Sequence, residues 1–180
     1  MWALVPLATA ALFYELIVFA PNAQARPANF SVSSTTFSSN AIVADRMVNN
    51  AAGCRGKNMS PELHWRGAPS GTKSFALTAW DPDAPAPGGW WHWVLYDISP
   101  RRHQIAEGRS AGTSGITSFG ASGYGGPCPP PGPLHHYRFT IYALNVAHLR
   151  GAPSMTAPQL IGAMRGHVLA QGVLVGLYKR

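Results

Sequence analysis

Charged side chains are scarce in this sequence, and the acidic ones are the scarcest. Asp, Glu, Lys and Arg together make up 12% of the 180 residues, which is too little charge for a disordered chain. Seven acidic residues stand against 14 basic ones, so the formal net charge is +7. Because the basic residues form no run, the charge predicts no nucleic-acid contact and fits attraction to anionic ligands or lipid, or solubility alone.

Long apolar runs are also missing, with one exception near the N-terminus. That run covers residues 4–20 and is followed by Ala23-Gln24-Ala25, a pattern typical of signal-peptidase sites. We therefore predict a signal peptide over residues 1–25 and one domain over residues 26–180, exported to the periplasm or secreted. A membrane anchor is the disfavoured alternative, because the run is short and contains Glu15. We expect no integral membrane segment after cleavage.

Cysteine is nearly absent, since the chain contains only Cys54 and Cys128. Each lies in a loop rich in Gly or Pro, and export would place both in an oxidising compartment. We therefore predict a disulfide between Cys54 and Cys128, at the flank of the site described below. Two free thiols are the alternative, which holds if the chain is not exported.

Glycine and proline are plentiful instead, at 19 and 16 residues, which favours a compact domain with many turns over a helical bundle. Short segments rich in aromatic or β-branched residues and bounded by Gly or Pro predict strands. They lie at residues 30–33, 62–65, 74–80, 91–98, 136–144 and 172–178. These segments predict a mainly β, sandwich-like fold.

One helix is predicted from Ala157 to Ala170, after Thr156, which can cap its start. Its apolar residues fall on one helical face: Leu160, Ile161, Met164, Val168 and Leu169.

Two polar side chains lie where predicted strands end or begin. Asp81 directly follows an apolar strand, and a turn stiffened by Pro82 holds its carboxylate. His92 follows Trp91 and precedes Trp93, so strict alternation points its ring to the face opposite both. Each signal is weak alone, because an Asp-Pro pair is usually a turn and a strand histidine is usually a core residue.

A segment rich in glycine and proline, residues 123–132, precedes His135 and Tyr137. Its glycines let the backbone approach a ligand and leave amide N–H groups free, while His135 and Tyr137 share a face of the next strand. Imidazoles, a phenol and backbone amides are donors suited to phosphate oxygens. We therefore predict one anion pocket that also contains His92, with Asp81 accepting a hydrogen bond from an imidazole or contacting a ligand amine.

Five segments carry a resemblance to a known family: CRGKNMSPELHW at 54–65, TKSFALT at 72–78, DPDAP at 81–85, GGWWHWVLYDI at 88–98 and GYGGPCPPPGPLHHYRFTIYAL at 123–144. They resemble the phosphatidylethanolamine-binding proteins, also called Raf kinase inhibitor-like proteins, and specifically their bacterial branch. The resemblance implies two antiparallel sheets in a β-sandwich with short peripheral helices, and the helix predicted above adds one C-terminal helix. It also implies the ligand-binding residues Asp81, Pro85, His92, Gly126, Pro127, His135 and Tyr137. His136 departs from the family pattern, because many relatives have Arg there.

The leading hypothesis is a non-enzymatic binding protein for a phosphorylated small molecule or a phospholipid head group. The resemblance also implies inhibition of a partner enzyme, either a kinase or a peptidase. An enzyme is the alternative, in which Asp81, His92 and His135 form a two-histidine, one-carboxylate metal site or an acid–base set. It ranks lower because the sequence has no nucleophile elbow, HExxH helix or cofactor loop, so neither metal nor cofactor is predicted.

Overall fold

Two β-sheets face each other in the computed structural model, which describes residues 29–151 and 154–180. The strands of the small sheet are β1 (Ser31–Ser33), β3 (Leu63–Arg66) and β6 (Gln104–Ile105), in the order β1-β3-β6. The strands of the large sheet are β2 (Ala41–Ile42), β4 (Ser74–Asp81), β5 (Trp90–Ile98), β7 (Thr113–Ser114), β8 (His135–Leu144) and β9 (Val168–Tyr178). Their order is β2-β9-β8-β4-β5-β7.

Strand β8 is the centre of the large sheet, with β4 on one side and β9 on the other. All strand pairs are antiparallel except β2 and β9, which run parallel. The chain therefore places the start of β8 beside the end of β4, because antiparallel neighbours meet end to start. The mainly β class and the two-sheet arrangement that the sequence predicted are confirmed.

Apolar side chains from both sheets fill the space between them, and these form the main core. Its members include Leu63, Trp65, Phe75, Leu77, Trp93, Ile105, Phe139 and Ile141. A second apolar cluster covers the other face of the large sheet with Ala76, Val94, Tyr96, Leu144, Met155, Leu160 and Met164. Strand β4 is thus buried on both faces, which explains why its sequence is mostly apolar and does not alternate with exposed polar residues.

Helix α1 (Ala157–Ala163) is shorter than predicted. Its start agrees with the prediction, and the Thr156 amide donates to Oε1 of Gln159 at 2.8 Å. Its predicted extension to Ala170 is wrong, because Gly166 adopts a left-handed φ of 76° and the chain then enters β9. Backbone pairing with β8 at the sheet centre outweighs the local helical pattern of the apolar residues that follow.

One other short helix, a 3-10 turn at Asp45–Met47, lies between β2 and β3. None of the helices within the described ranges is long and apolar enough to cross a membrane. The predicted signal peptide, residues 1–25, lies outside the described residues.

Candidate functional site

A cavity of about 400 Å³ opens at the end of the large sheet where β4 ends and β5 and β8 begin. Five of the seven predicted site residues line it, namely Asp81, Pro85, His92, His135 and Tyr137. The other lining residues are Ala52, Ala84, Ala86, Trp90, Phe119, Cys128, Pro129 and Pro130. The wall is thus mostly apolar, with one carboxylate, two imidazoles and one phenol among it.

Asp81 is held by two hydrogen bonds at the bottom of β4. Its Oδ1 accepts the Asp83 amide at 2.9 Å, and its Oδ2 lies 2.8 Å from Nδ1 of His135. Both residues are buried, with 2% and 4% of their surface exposed. Because the carboxylate only accepts, Nδ1 of His135 carries a proton and Nε2 is the ring atom available to a ligand. The predicted contact between Asp81 and an imidazole is confirmed.

A β-bulge at the start of β5 aims His92 into the cavity. Trp80 pairs with Trp91, although the residue before Trp80 pairs with Trp93, so His92 is the extra residue. Its ring centroid lies 5.1 Å from that of Tyr137, which belongs to the main core together with Trp93. Trp91 lies on the other side, stacked on Trp80. The prediction that His92 lies opposite both tryptophans is therefore wrong for Trp93.

His92 offers an acceptor to the cavity, not a donor. Its Nδ1 lies 2.6 Å from the carbonyl oxygen of Gly125 and must donate to it. Burial lowers the pKa of His92 by more than the Gly125 carbonyl and the Asp81 charge raise it. The ring is therefore neutral near pH 7, and its Nε2 carries a lone pair.

The Tyr137 hydroxyl is buried and has no hydrogen-bond partner among the described residues. The nearby Asp81 carboxylate is an internal group that competes for this proton, although its oxygens already accept bonds from Asp83 and His135. Burial raises the pKa of Tyr137 most, followed by the charge of Asp81 and the hydrogen-bonding attraction of its carboxylate, so the phenol stays protonated. A buried hydroxyl without a partner costs about 1–3 kcal/mol, which a ligand oxygen accepting its proton would recover.

Aromatic rings form the outer wall of the cavity; the tryptophans beside His92 fitted either the core or such a wall in the sequence, whereas Phe119 was not predicted. The Phe119 ring lies edge-on to Trp90, with centroids 5.5 Å apart, and edge-on to His92 at the same distance. The available signal was the position of Trp90 directly after Gly88-Gly89, at the mouth of the loop that follows Asp81.

Gly126 and Pro127 lie behind the cavity wall and do not line it. The Gly126 amide donates to Oδ1 of Asn58 at 2.7 Å, and the Pro127 carbonyl accepts the Asn49 amide at 3.0 Å. A Cβ on Gly126 would lie 2.1 Å from a main-chain oxygen of the adjoining loop. The amide of Gly125 is likewise used, donating to the His92 carbonyl at 2.8 Å. The expectation that these amides are free for an anion is wrong; they fix the loop instead.

A disulfide between Cys54 and Cys128 closes one side of the cavity, as predicted, with Cα atoms 6.0 Å apart. It ties the loop that carries Ala52 to the proline segment after Cys128, and both contribute to the wall. Nη1 of Arg180 donates to the Ala52 carbonyl at 3.0 Å and braces the same loop.

The departure at His136 has a local partner outside the cavity. Its amide donates to Oδ2 of Asp83, and its Nδ1 lies 2.8 Å from the same oxygen. Burial alone would raise the pKa of Asp83, but the hydrogen bonds and charge of His136 outweigh it and lower the pKa. The contact between His136 and Asp83 fixes the turn that follows Asp81. Within this turn, the Asp83 amide donates the hydrogen bond that holds the Asp81 carboxylate.

Other features of the described residues compete less well as a site. A larger and more open groove of about 660 Å³ runs beside α1, lined by Trp91, Ile161 and Arg165 among others, and contains no histidine or carboxylate. Within residues 29–151 and 154–180, no three His, Cys, Asp or Glu side chains are arranged to hold a metal ion. The buried polar cluster around Asp81 is therefore the candidate site.

The fold and this cluster define a class: a β-sandwich with a small, mostly apolar pocket that presents a few polar groups at one sheet end. The model of the family described as phosphatidylethanolamine-binding protein matches residues 33–179. The chain belongs to the phosphatidylethanolamine-binding protein family.

Bacterial relatives share this fold over most of their length. A UPF0098 protein of Aquifex aeolicus is 43% identical over 134 residues, covering 71% of this chain and 78% of the relative. The UPF0098 protein YbcL of Escherichia coli is 39% identical over 150 residues, covering 78% and 81%. Its crystal structure superposes with a TM-score of 0.80 at 31% identity, covering 84% of this chain and 98% of YbcL. The homologue CT736 of Chlamydia trachomatis superposes with a TM-score of 0.76 at 34% identity, covering 84% and 97%.

Proposed function

We propose that the pocket binds, without turnover and without a metal, a small molecule that carries an anionic phosphate oxygen together with a hydrogen-bond donor. The unpaired Tyr137 hydroxyl is the observation that carries this proposal, because a buried donor without a partner is rare unless a ligand supplies one. Two bacterial members have the same fold, and the family's name refers to phosphatidylethanolamine.

The anionic oxygen would lie between Tyr137 and His135. The phenol donates its proton, and Nε2 of His135 donates when the ring is protonated opposite Asp81. Their ring centroids are 6.5 Å apart and the rings are nearly parallel, at 22°. The two rings thus lie side by side in the cavity wall, where the proposed phosphate group contacts both.

The donor on the ligand would serve His92, whose neutral Nε2 can only accept. Two chemical groups meet this requirement: the P–OH of a singly protonated phosphate monoester, and the ammonium of an ethanolamine phosphate. No Lys or Arg side chain lines the cavity, so no fixed positive charge offsets the two negative charges of a phosphate dianion. The Asp81 carboxylate would repel those charges. The pocket therefore favours a monoanion or a zwitterion over a dianion.

Titration calorimetry with matched ligands tests this requirement. Glycerophosphoethanolamine and glycerophosphocholine share a phosphodiester anion, but the choline nitrogen has no N–H. We expect the ethanolamine compound to bind at least about tenfold more tightly, which corresponds to one hydrogen bond of about 1.4 kcal/mol. Methyl phosphate should likewise bind more tightly than methyl sulfate at about pH 5, where most of the phosphate is a protonated monoanion, and lose that advantage at about pH 8.

Variants assign the contacts. His135→Ala should weaken binding of either phosphate compound by roughly 1.5–3 kcal/mol, the range for a charge-assisted hydrogen bond. His148→Ala is the matched control, because that side chain is 81% exposed and pairs with Asp97 outside the cavity. Equal affinity for the ethanolamine and choline compounds, binding that requires added metal, or unchanged affinity in His135→Ala would each contradict the proposal.

We further propose that the protein acts after export, which the leader-like residues 1–25 and the disulfide support. Inhibition of a partner kinase or peptidase, which the family resemblance implies, stays a prediction.

A further inference from the structure

A second polar array lies on the small sheet, and none of its three residues lines the pocket. Oγ of Ser33 lies 2.8 Å from Nε2 of His64, and Nδ1 of the same ring lies 2.9 Å from Oε1 of Glu62. The pairing of β1 with β3 produces this alignment, because Ser33 and His64 are directly opposite each other. Glu62 directly precedes β3 and places its carboxylate two residues from the imidazole.

The protons in this array follow from the state of Glu62. Its side chain is 8% exposed, and it accepts the Thr35 amide at 2.7 Å and Nε2 of Gln104 at 3.1 Å. Burial alone would raise the pKa of Glu62, but the hydrogen bonds from Thr35 and His64 outweigh it and lower the pKa. An ionised Glu62 only accepts, so Nδ1 of His64 carries the proton and Nε2 accepts the Ser33 hydroxyl proton.

We propose that Ser33 is a nucleophile activated by His64, with Glu62 orienting the ring, and that it reacts with small activated esters. Serine nucleophiles require a hydroxyl that is hydrogen-bonded to a base, and a carboxylate that is hydrogen-bonded to the same base. Reagents can reach it, because the His64 side chain is 31% exposed and β1 is an edge strand. Since the array lies on an open strand, we expect it to need a good leaving group such as p-nitrophenolate.

The chemical step is an acyl transfer. Oγ of Ser33 bonds to the carbonyl carbon, its proton passes to Nε2 of His64, and the ester bond to the leaving oxygen breaks. The leaving group departs as p-nitrophenolate, and His64 releases the proton to solvent. Water then attacks the acyl-serine with His64 as base, which releases the carboxylic acid and restores Ser33.

Labelling of the full chain with a fluorophosphonate, followed by intact mass and peptide mapping, tests the proposal. In that reaction Oγ bonds to phosphorus and fluoride leaves. We expect one adduct, located on Ser33 and absent in Ser33→Ala. His64→Gln should slow labelling by about 100-fold or more, the usual range for loss of a general base, and added imidazole should restore part of the rate.

Ser31→Ala is the matched control, because Ser31 lies on the same strand and face but is paired with Arg66. Its labelling should equal that of the unaltered chain. Circular dichroism and urea midpoints establish that each variant is folded. An absent adduct, equal labelling of Ser31, or an unchanged rate in folded His64→Gln would each overturn the proposal. None of these results depends on ligand binding in the pocket, so the two proposals fail separately.

Discussion

Replacing Tyr137 by Phe should weaken ligand binding without weakening the fold. The substitution removes a buried hydroxyl that has no partner among the described residues, so it also removes a desolvation cost of about 1–3 kcal/mol. We expect the free energy of unfolding to stay equal or to rise by about 1 kcal/mol. The same change removes the donor that we propose for a phosphate oxygen, which should cost about 2 kcal/mol of binding, or roughly 30-fold in Kd.

Tyr124→Phe is the matched control for this experiment. Its hydroxyl is also inside the protein but donates to the Met47 carbonyl at 3.2 Å, away from the cavity. Removing it should lower the free energy of unfolding by about 1 kcal/mol and leave ligand affinity unchanged. Urea unfolding followed by tryptophan fluorescence, together with calorimetry using glycerophosphoethanolamine, gives both quantities. If Tyr137→Phe destabilises the protein by more than about 1 kcal/mol and binds the ligand normally, the hydroxyl has an internal role and the reasoning is refuted.

Four further outcomes are expected. Alkylation of the exported protein without reductant should leave Cys54 and Cys128 unmodified, and two alkylated thiols would show that the bond does not form in the cell. Removing this bond, which spans 74 residues, should lower the free energy of unfolding by about 4 kcal/mol. Gly126→Ala should lower the free energy of unfolding by about 1–3 kcal/mol or more, because its Cβ would lie 2.1 Å from main-chain oxygen; a normal urea midpoint would contradict this. Folding lowers the pKa of His92, so the neutral ring contributes fully to the free energy of unfolding above about pH 6.5, and this contribution is lost as the pH falls below that value. In His92→Asn the free energy of unfolding should therefore fall less steeply on the acid side. N-terminal sequencing of the mature protein should start at Arg26, whereas an intact leader in the membrane fraction would favour an anchor.

The strands and the main polar residues could be predicted because both depend on local sequence. The apolar run that ends at Asp81 marks a strand end wherever it folds, and the two-residue spacing of His135 and Tyr137 puts them on one face in any strand. The prediction that the amides of the loop before β8 are free for an anion was wrong for a different reason. Glycine is needed at position 126 because the main chain of another loop fills the space that a side chain would take. Only the tertiary structure shows that the Gly126 amide donates its hydrogen bond to Asn58.

The bulge at His92 and the end of α1 lie beyond local reasoning. The one-residue β-bulge in the pairing of β5 with β4 determines the face on which His92 lies. The residue pattern of β5 alone does not predict this register. Likewise, the apolar residues after Gly166 fit a helical face, but hydrogen bonds to β8 make them a strand. In both cases the deciding partner is distant in sequence and occupies the neighbouring position in the sheet.

The cavity wall draws on segments from Ala52 to Tyr137, and β8 is held in place by β9 near the chain's end. No single segment of the chain therefore contains the pocket, and a ligand has no formed pocket to bind in the unfolded protein. Binding then adds its full mass-action term to stability, about 2.7 kcal/mol at a ligand concentration one hundred times Kd. A thermal-shift screen of phosphate compounds consequently reports on occupancy of this pocket through the melting of the whole domain, and needs neither a substrate nor an assay of activity.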